Sequence, residues 1–194
     1  MIIGITGGTG CGKTTALNAV KALGGVVLDC DAIYHKLLQT DHALLRAIES
    51  RFPGTVKDGV LDRKSLGQMV FNDKSALQDL NRITHSAIKA EVLRQLPKGD
   101  TLVAIDAIGL FECGLSELCK LTVAITAPTE ARINRLIARD NISREYALSR
   151  ITAQPVNEDF SALCDYTLEN NSSTEDFYVK CLGFFRKWAI IEEN

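Results

Sequence analysis

The sequence predicts an α/β fold built around a five-stranded parallel sheet. Two observations lead to this prediction: five short apolar segments recur along the chain, and longer stretches with helical spacing of apolar residues separate them. The five segments are residues 2–6, 26–28, 102–106, 121–126 and 166–168. Their nearly unbroken apolar character is typical of strands that helices cover on both faces. The 194 residues fit a single domain, 1–194, with a helical insertion over about residues 31–99.

The first strand leads into a glycine-rich loop. Residues 7–14 have the spacing G-x-x-x-x-G-K-[ST], and a helix is predicted to begin near Lys13 and to stop at Gly24-Gly25. Such a loop cradles a polyphosphate because its backbone N–H groups point inward and the helix N-terminus adds partial positive charge. Lys13 would reach the β- and γ-phosphates, and Thr14 would bind Mg²⁺. The predicted ATP ligands of the loop are Gly8, Gly10, Cys11, Gly12, Lys13, Thr14 and Thr15.

Cys11 has two interpretations. At a helix N-terminus a thiol pKa tends to fall, which suggests sensitivity to oxidation. The simpler interpretation is that Cys11 is a small residue that fills space in the loop.

Two carboxylates close the second predicted strand. Asp31 and His35 lie one helical turn apart and therefore on one face of the helix that follows. Asp31 is a candidate base for a hydroxyl proton during phosphoryl transfer, and His35 is a candidate to hold the acceptor. The alternative is that Asp29 or Asp31 is only a helix N-cap.

The segment between the second and third predicted strands, residues 31–99, is too long for a simple crossover. It has the pattern of several helices interrupted by Pro53-Gly54 and Asp58-Gly59, one of them beginning at Arg63 after a capping Asp62. Large insertions often carry function, so we expect an acceptor-binding subdomain here. The alternative is that the insertion only contributes helical packing.

The third predicted strand ends at Asp106. Ligands of open α/β sheets bind at the carboxyl ends of strands, so this carboxylate is placed to hold Mg²⁺ directly or through water. Glu112 follows near the same rim and is a candidate acceptor ligand, although a lone glutamate is more often a solvated surface residue.

After the fourth predicted strand the chain becomes locally basic. Three of its arginines lie on one helix face, and residues 141–143 break that helix, with Ser143 placed to cap the next one. Arginines on a closing segment can stabilise a transferring phosphoryl group, so residues 139–155 are predicted to form a lid. The alternative is a solvated helix face with local ion pairs. The arginines of this segment are Arg132, Arg135, Arg139, Arg144 and Arg150.

The last predicted strand precedes a final helix over residues 174–191. Its apolar residues recur at helical spacing, which is more typical of core packing than of a ligand site. They are Phe177, Cys181, Phe184, Phe185 and Trp188.

Composition narrows the range of functions. A net charge of −2 gives no general attraction to nucleic acid or to an anionic membrane. The six cysteines contain no C-x-x-C pair, which is typical of free thiols in a reducing compartment. The sequence shows no leader peptide and no apolar run long enough to span a membrane, so we expect a cytoplasmic protein.

The chain resembles the dephospho-coenzyme A kinases of the P-loop nucleoside monophosphate kinase-like group. The resemblance covers most of the chain and depends on the order and spacing of several short motifs. These are residues 7–15, Asp29-Cys30-Asp31 with His35, Leu61-Asp62-Arg63-Lys64, Ile83-Thr84-His85, Leu110-Phe111-Glu112, the arginine segment with Gln154, and Cys164-Asp165-Tyr166 leading into Asn170-Asn171.

This resemblance implies ATP-dependent phosphorylation of the ribose 3′-hydroxyl of dephospho-coenzyme A, with Mg²⁺ as cofactor. It implies a P-loop kinase core that carries a helical acceptor-binding subdomain and an arginine-bearing lid. Asp31 would be the base, with Lys13 and Arg139 at the transferred phosphoryl group. Arg135 and Arg139 would bind ATP, and Asp31, His35, Glu112 and Arg144 would bind the acceptor.

Two other functions stay open on the sequence alone. One is a small-molecule kinase of the same architecture with a different acceptor. The other is a regulatory module in which ATP binding shifts a conformation and nothing is phosphorylated. A nucleic-acid enzyme is disfavoured, because the basic cluster is short and lacks an accompanying aromatic stacking pattern.

Overall fold

The computed structural model describes residues 1–71, 73–154 and 157–189. The chain divides into two compact units: Met1–Leu28 together with Pro97–Asn194, and Asp29–Leu96. In chain order the elements are β1 (Ile2–Thr6), α1 (Lys13–Ala22), β2 (Val26–Asp29), α2 (Cys30–Thr40), α3 (His42–Arg51), β3 (Val56–Lys57), β4 (Val60–Leu61), α4 (Arg63–Val70), α5 (Lys74–Gln95), β5 (Val103–Asp106), β6 (Leu121–Thr126), α6 (Thr129–Asp140), α7 (Arg144–Thr152), α8 (Asn157–Leu163), β7 (Tyr166–Glu169) and α9 (Thr174–Ala189). A short 3-10 helix, Ser116–Leu118, precedes β6.

The first unit contains the predicted five-stranded parallel sheet. Its strand order is β2-β5-β1-β6-β7, so β1 lies at the centre. Ile3 of β1 is in register with Ala104 on one side and with Leu121 on the other. Because the strands are parallel, the chain leaves β1, β5, β6 and β7 at the same edge of the sheet. That edge is where open α/β sheets bind their ligands.

The core of the first unit is made by apolar side chains on the strands and on the helices that cover them. Ile3 and Ile5 are fully buried on β1, and Leu17 and Val20 of α1 lie in the same cluster. On α9 the residues Phe177, Cys181 and Phe185 are fully buried, and Phe184 and Trp188 pack against this cluster. The prediction of a core stripe on the last helix is confirmed.

The second unit is mostly helical. The long helix α5 packs against α2, α3 and α4. Asp62 caps α4 as predicted, because its Oδ1 accepts hydrogen bonds from the backbone N–H groups of Lys64 and Ser65 at 3.1 Å each. No described helix of the chain is long and apolar enough to cross a lipid bilayer.

The structure adds a β-hairpin that the sequence analysis interpreted only as an interruption between helices. Strands β3 and β4 are antiparallel, with Val56 opposite Leu61 and Lys57 opposite Val60. Asp58 and Gly59 form the two-residue turn with φ of 52° and 76°, the left-handed backbone that favours Asp-Gly in hairpins.

Candidate phosphate-binding site

The predicted phosphate loop connects β1 to α1, and α1 begins at Lys13 as expected. Gly10 and Gly12 have φ of 76° and 102°, a region that non-glycine residues rarely adopt. Gly12 also has no room for a side chain, since a Cβ there would lie 2.2 Å from Nδ2 of Asn170. Gly10 and Gly12 are therefore required by the backbone shape of the loop.

Three consecutive carbonyl groups of the loop accept hydrogen bonds from side chains that pack around it. Since a peptide unit is planar and trans, each carbonyl that is held by a side chain directs the next N–H group to the opposite side. The side chains thus orient the amides of the loop. The bonds are Arg132 Nε to Thr9 O at 2.8 Å, Arg135 Nη1 to Gly10 O at 3.3 Å and Asn170 Nδ2 to Cys11 O at 2.9 Å.

The side chain of Lys13 folds back over the loop. Its Nζ donates to the carbonyl of Gly7 at 2.8 Å. Thr14 lies exposed in the first turn of α1, with Thr15 beside it. On the loop itself the backbone N–H of Thr9 donates to Oε1 of Gln154 at 2.7 Å. An ammonium, a hydroxyl and a set of oriented amides are therefore collected in one short segment.

Cys11 is buried within the loop, with 1% of its surface exposed. Burial raises the pKa of this thiol, and it outweighs the opposing effect of the nearby Lys13 charge. The expectation of a lowered pKa is therefore wrong, and Cys11 acts as a buried small residue. The carboxylate of Asp106, at the end of β5, also raises the pKa of Cys11, which places its charge near the loop.

The arginine segment divides into inward and outward members. Arg135 is bound to the loop and, through Nη2, to Oδ1 of Asn170 at 3.0 Å. Arg139 instead forms a bidentate pair with Asp140 and is largely exposed. Arg139 and Arg150 together hold the pKa of the Asp140 carboxyl far below its usual range. Arg144 pairs with Glu130 on the surface at 2.7 Å. Helix α6 ends at Asp140 and Ser143 caps α7 as predicted.

In the second unit, the structure distinguishes the two aspartates at the junction of β2 and α2. Asp29 is the N-cap of α2, since its Oδ1 accepts from the N–H of Ala32 at 2.9 Å. Asp31 lies exposed in the first turn, and among the described residues its carboxylate has no hydrogen-bond partner. His35 donates from Nδ1 to the backbone carbonyl of Asp31 at 2.7 Å, because a carbonyl can only accept. The capping role thus belongs to Asp29.

Glu112 is exposed in the turn that follows β5 and Asp106. Over the described ranges of the chain, no group of three or more His, Cys, Asp or Glu side chains is arranged to hold a metal ion. Mg²⁺ usually takes only one or two protein oxygens and completes its shell with substrate phosphates and water, so a nucleotide-bound Mg²⁺ does not require such a group.

Asn170 has a role at the loop that was not predicted from the sequence. This side chain is 3% exposed and follows β7 at the carboxyl edge of the sheet, where it joins the loop to Arg135. Its position after a predicted strand was the available signal, since polar residues there commonly belong to the site. Arg132 was predicted to belong to the phosphate-stabilising arginine segment, with a solvated helix face as the alternative; it is buried against the loop with 2% exposure, so the solvated face does not apply to it.

Replacing Asn170 with alanine is expected to lower the free energy of unfolding by about 2–4 kcal/mol, because one buried and one partly buried hydrogen bond lose their partner and the second involves a charged group. Urea denaturation followed by circular dichroism measures this change. Asn171→Ala is the matched control. Asn171 is exposed and bonds only to Glu169 among the described residues, so its loss should change stability by less than about 0.5 kcal/mol. Equal unfolding midpoints for the two variants would contradict the role of Asn170.

Comparison with known proteins gives a consistent result. A family model described as dephospho-CoA kinase matches residues 1–176. The dephospho-CoA kinase of Dehalococcoides mccartyi is 38% identical over 90% of this chain and 91% of its own length. That of Carboxydothermus hydrogenoformans is 32% identical over 96% of this chain and 94% of its own. A solved dephospho-CoA kinase from Campylobacter jejuni is 30% identical, with a TM-score of 0.67 over 97% of this chain and 96% of that one.

Proposed function

The chain belongs to the dephospho-CoA kinase family, and from this premise we propose that it transfers the γ-phosphoryl group of ATP to the ribose 3′-hydroxyl of dephospho-coenzyme A. The products are coenzyme A and ADP, so the reaction is the last step of coenzyme A biosynthesis. The observation that carries the proposal is the phosphate loop, whose carbonyls are held by Arg132, Arg135 and Asn170 while Lys13 lies over it.

In the proposed reaction the 3′-oxygen of the acceptor attacks the γ-phosphorus. A new oxygen–phosphorus bond forms as the bond between the γ-phosphorus and the β,γ-bridging oxygen breaks, and ADP leaves. The loop amides and the Lys13 ammonium offset the negative charge on the phosphates. We assign Arg139 to the transferred group in the reacting complex, which requires Arg139 to exchange its pair with Asp140 for a phosphate.

Asp31 is the proposed base, which accepts the hydroxyl proton. Two observations support this assignment. Asp29 already caps α2, so Asp31 is not needed for that task, and its carboxylate is exposed. The hydrogen bond from Nδ1 to the Asp31 carbonyl fixes the orientation of the His35 ring. Nε2 is then the ring nitrogen that can bond to an acceptor substrate. We propose His35, Glu112 and Arg144 as further acceptor contacts.

Thr14 and Asp106 are the proposed ligands of Mg²⁺, directly or through water. Their hydroxyl and carboxylate oxygens are the hard donors that this ion prefers, and Asp106 carries its charge near the loop. When bound, Mg²⁺ supplies positive charge to the phosphates that are being separated. We also propose a cytoplasmic location, since all six cysteines are free thiols.

The proposal is tested by incubating the purified protein with Mg-ATP and dephospho-coenzyme A and measuring ADP and the mass of the acceptor product. We expect ADP formation that depends on dephospho-coenzyme A, and a product heavier by one phosphate at the 3′-position. Shikimate and nucleoside monophosphates are the comparison acceptors. Faster turnover with one of these compounds would show that it, and not dephospho-coenzyme A, is the acceptor. ATP binding without turnover that any acceptor stimulates would indicate a regulatory module.

A further inference from the structure

Arg132 is a buried cation that packs directly against the phosphate loop. It lies on α6, and only 2% of its surface is exposed to solvent. No carboxylate forms an ion pair with it among the described side chains, and burial lowers the pKa of its guanidinium. Arg139 and Arg144, which lie nearer the solvent, do have carboxylate partners. Among the described side chains, therefore, no carboxylate balances the charge of Arg132.

Two of its nitrogens have backbone or amide acceptors. Nε donates to the carbonyl of Thr9 at 2.8 Å, and Nη1 donates to Oδ1 of Asn157 at 3.4 Å. Asn157 is itself held by the carbonyl of Ala127, to which its Nδ2 donates at 2.8 Å. Arg132 thus connects the loop to the start of α8 and to the end of β6. The bond to Thr9 also sets the plane of the Thr9–Gly10 peptide and hence the direction of the Gly10 N–H.

The third nitrogen, Nη2, is buried and has no hydrogen-bond acceptor among the described residues. It occupies the space beside Gly8, where a Cβ would lie only 2.3 Å from it. The backbone of Arg132 similarly excludes a side chain at Gly10, because a Cβ there would be 2.9 Å from the Arg132 carbonyl oxygen. A side chain at Gly8 would therefore displace the Arg132 guanidinium, and one at Gly10 would meet the Arg132 backbone.

A buried cation without a counter-ion is costly unless an anion compensates it. Resting on the proposed function, the anion to be considered is the polyphosphate of ATP. We propose that Arg132 is a positioning residue for this polyphosphate: it orients the Thr9–Gly10 peptide from behind the loop and supplies a positive charge that the bound phosphates neutralise. It acts through the loop and through its field, without taking part in the chemical step.

A residue that positions the polyphosphate and a residue that only stabilises the loop should affect the binding of AMP, ADP and ATP differently. The contribution of Arg132 to binding grows with the number of phosphates on the nucleotide, because each added phosphate brings charge to the loop. A residue that only stabilised the loop would lower the affinity for all adenine nucleotides by a similar factor. The preference of the protein for ATP over AMP is therefore the informative quantity.

The experiment is calorimetric titration of the full chain with AMP, ADP and ATP in the presence of Mg²⁺, for the wild type and for Arg132→Met, Arg132→Gln and Arg132→Lys. We expect Arg132→Met and Arg132→Gln to weaken ATP binding about tenfold and AMP binding less than about threefold, given the size of one charge interaction at an effective dielectric constant near 20. Arg132→Lys keeps the charge and should retain most of the ATP preference.

Arg51→Met is the matched control. Arg51 is a half-exposed arginine of the second unit that pairs with Asp79 at 2.7 Å, and its loss should leave all three affinities unchanged. If Arg132→Met does not fold, Arg132→Gln and Arg132→Lys provide the same comparison of a neutral with a charged side chain.

Equal losses for AMP and ATP in the neutral variants, or loss of the ATP preference in Arg132→Lys as large as in Arg132→Gln, would overturn the inference. Failure of the proposed function would be seen in the wild type and not in the variants. The wild-type protein would then bind ATP without phosphorylating dephospho-coenzyme A, or would not bind ATP.

Discussion

Lys13→Ala is expected to have the largest effect of any single substitution, lowering kcat about 10²–10³-fold, the range for loss of one preorganised charge at a transition state. The same change should weaken ATP binding about tenfold, since a hydrogen bond to a charged group is lost. The structure gives the reason: Lys13 is the first residue of α1 and its ammonium already lies over the loop, 2.8 Å from the Gly7 carbonyl. Steady-state kinetics combined with calorimetry separates the two effects.

Lys21→Ala is the control for this experiment. Lys21 is an exposed lysine in the last turn of the same helix, so its loss tests charge and helix stability without touching the loop. We expect its kcat and ATP affinity to stay within about twofold of the wild type, as for most surface substitutions. If the Lys13→Ala variant is as active as the Lys21→Ala variant, the Lys13 ammonium does not contribute to phosphoryl transfer.

Asp31→Asn is expected to lower kcat by about 10² or more while ATP affinity stays nearly unchanged, because a general base contributes in this range and asparagine cannot accept the proton. The substitution preserves size and hydrogen-bonding shape. It also leaves the helix intact, since the N-cap of α2 is Asp29. Turnover with dephospho-coenzyme A and calorimetry with Mg-ATP together measure the expected separation.

The matched control is Asp41→Asn. Asp41 caps α3 through Oδ1, which accepts from Ala43 N and Leu44 N, and asparagine is an equally good N-cap. Both variants remove one carboxylate from the first turn or cap of a helix in the second unit. If the Asp31→Asn variant turns over as fast as the Asp41→Asn variant, Asp31 is not the base that accepts the hydroxyl proton.

The sheet was predictable because its signal is local. Each strand is a short apolar run with a glycine or polar boundary, and the five runs correspond to β1, β2, β5, β6 and β7 within one residue at their ends. The hairpin β3–β4 was not predicted, because strands of two residues are too short to produce an alternating pattern. The turn residues Asp58 and Gly59 were its only signal.

The site was predictable in part. The phosphate loop has a defined spacing, and its backbone requires glycine at both ends of that spacing, since Gly7 and Gly12 have φ of 144° and 102°. The orientation of the arginine helix was not predictable, since periodicity places Arg132 and Arg135 on one face without indicating what that face contacts. The contacts of Arg132 with Thr9 and of Asn170 with Cys11 join residues more than 120 positions apart, and such pairings come only from the tertiary structure.

Calorimetric titration of the folded protein with Mg-ATP is the most direct test of the central claim, that the oriented amides and Lys13 of this loop bind the polyphosphate of ATP. We expect one saturable site per chain, weakened by Lys13→Ala and unaffected by Lys21→Ala. A folded protein that takes up no Mg-ATP, or whose uptake is the same in Lys13→Ala, would contradict it.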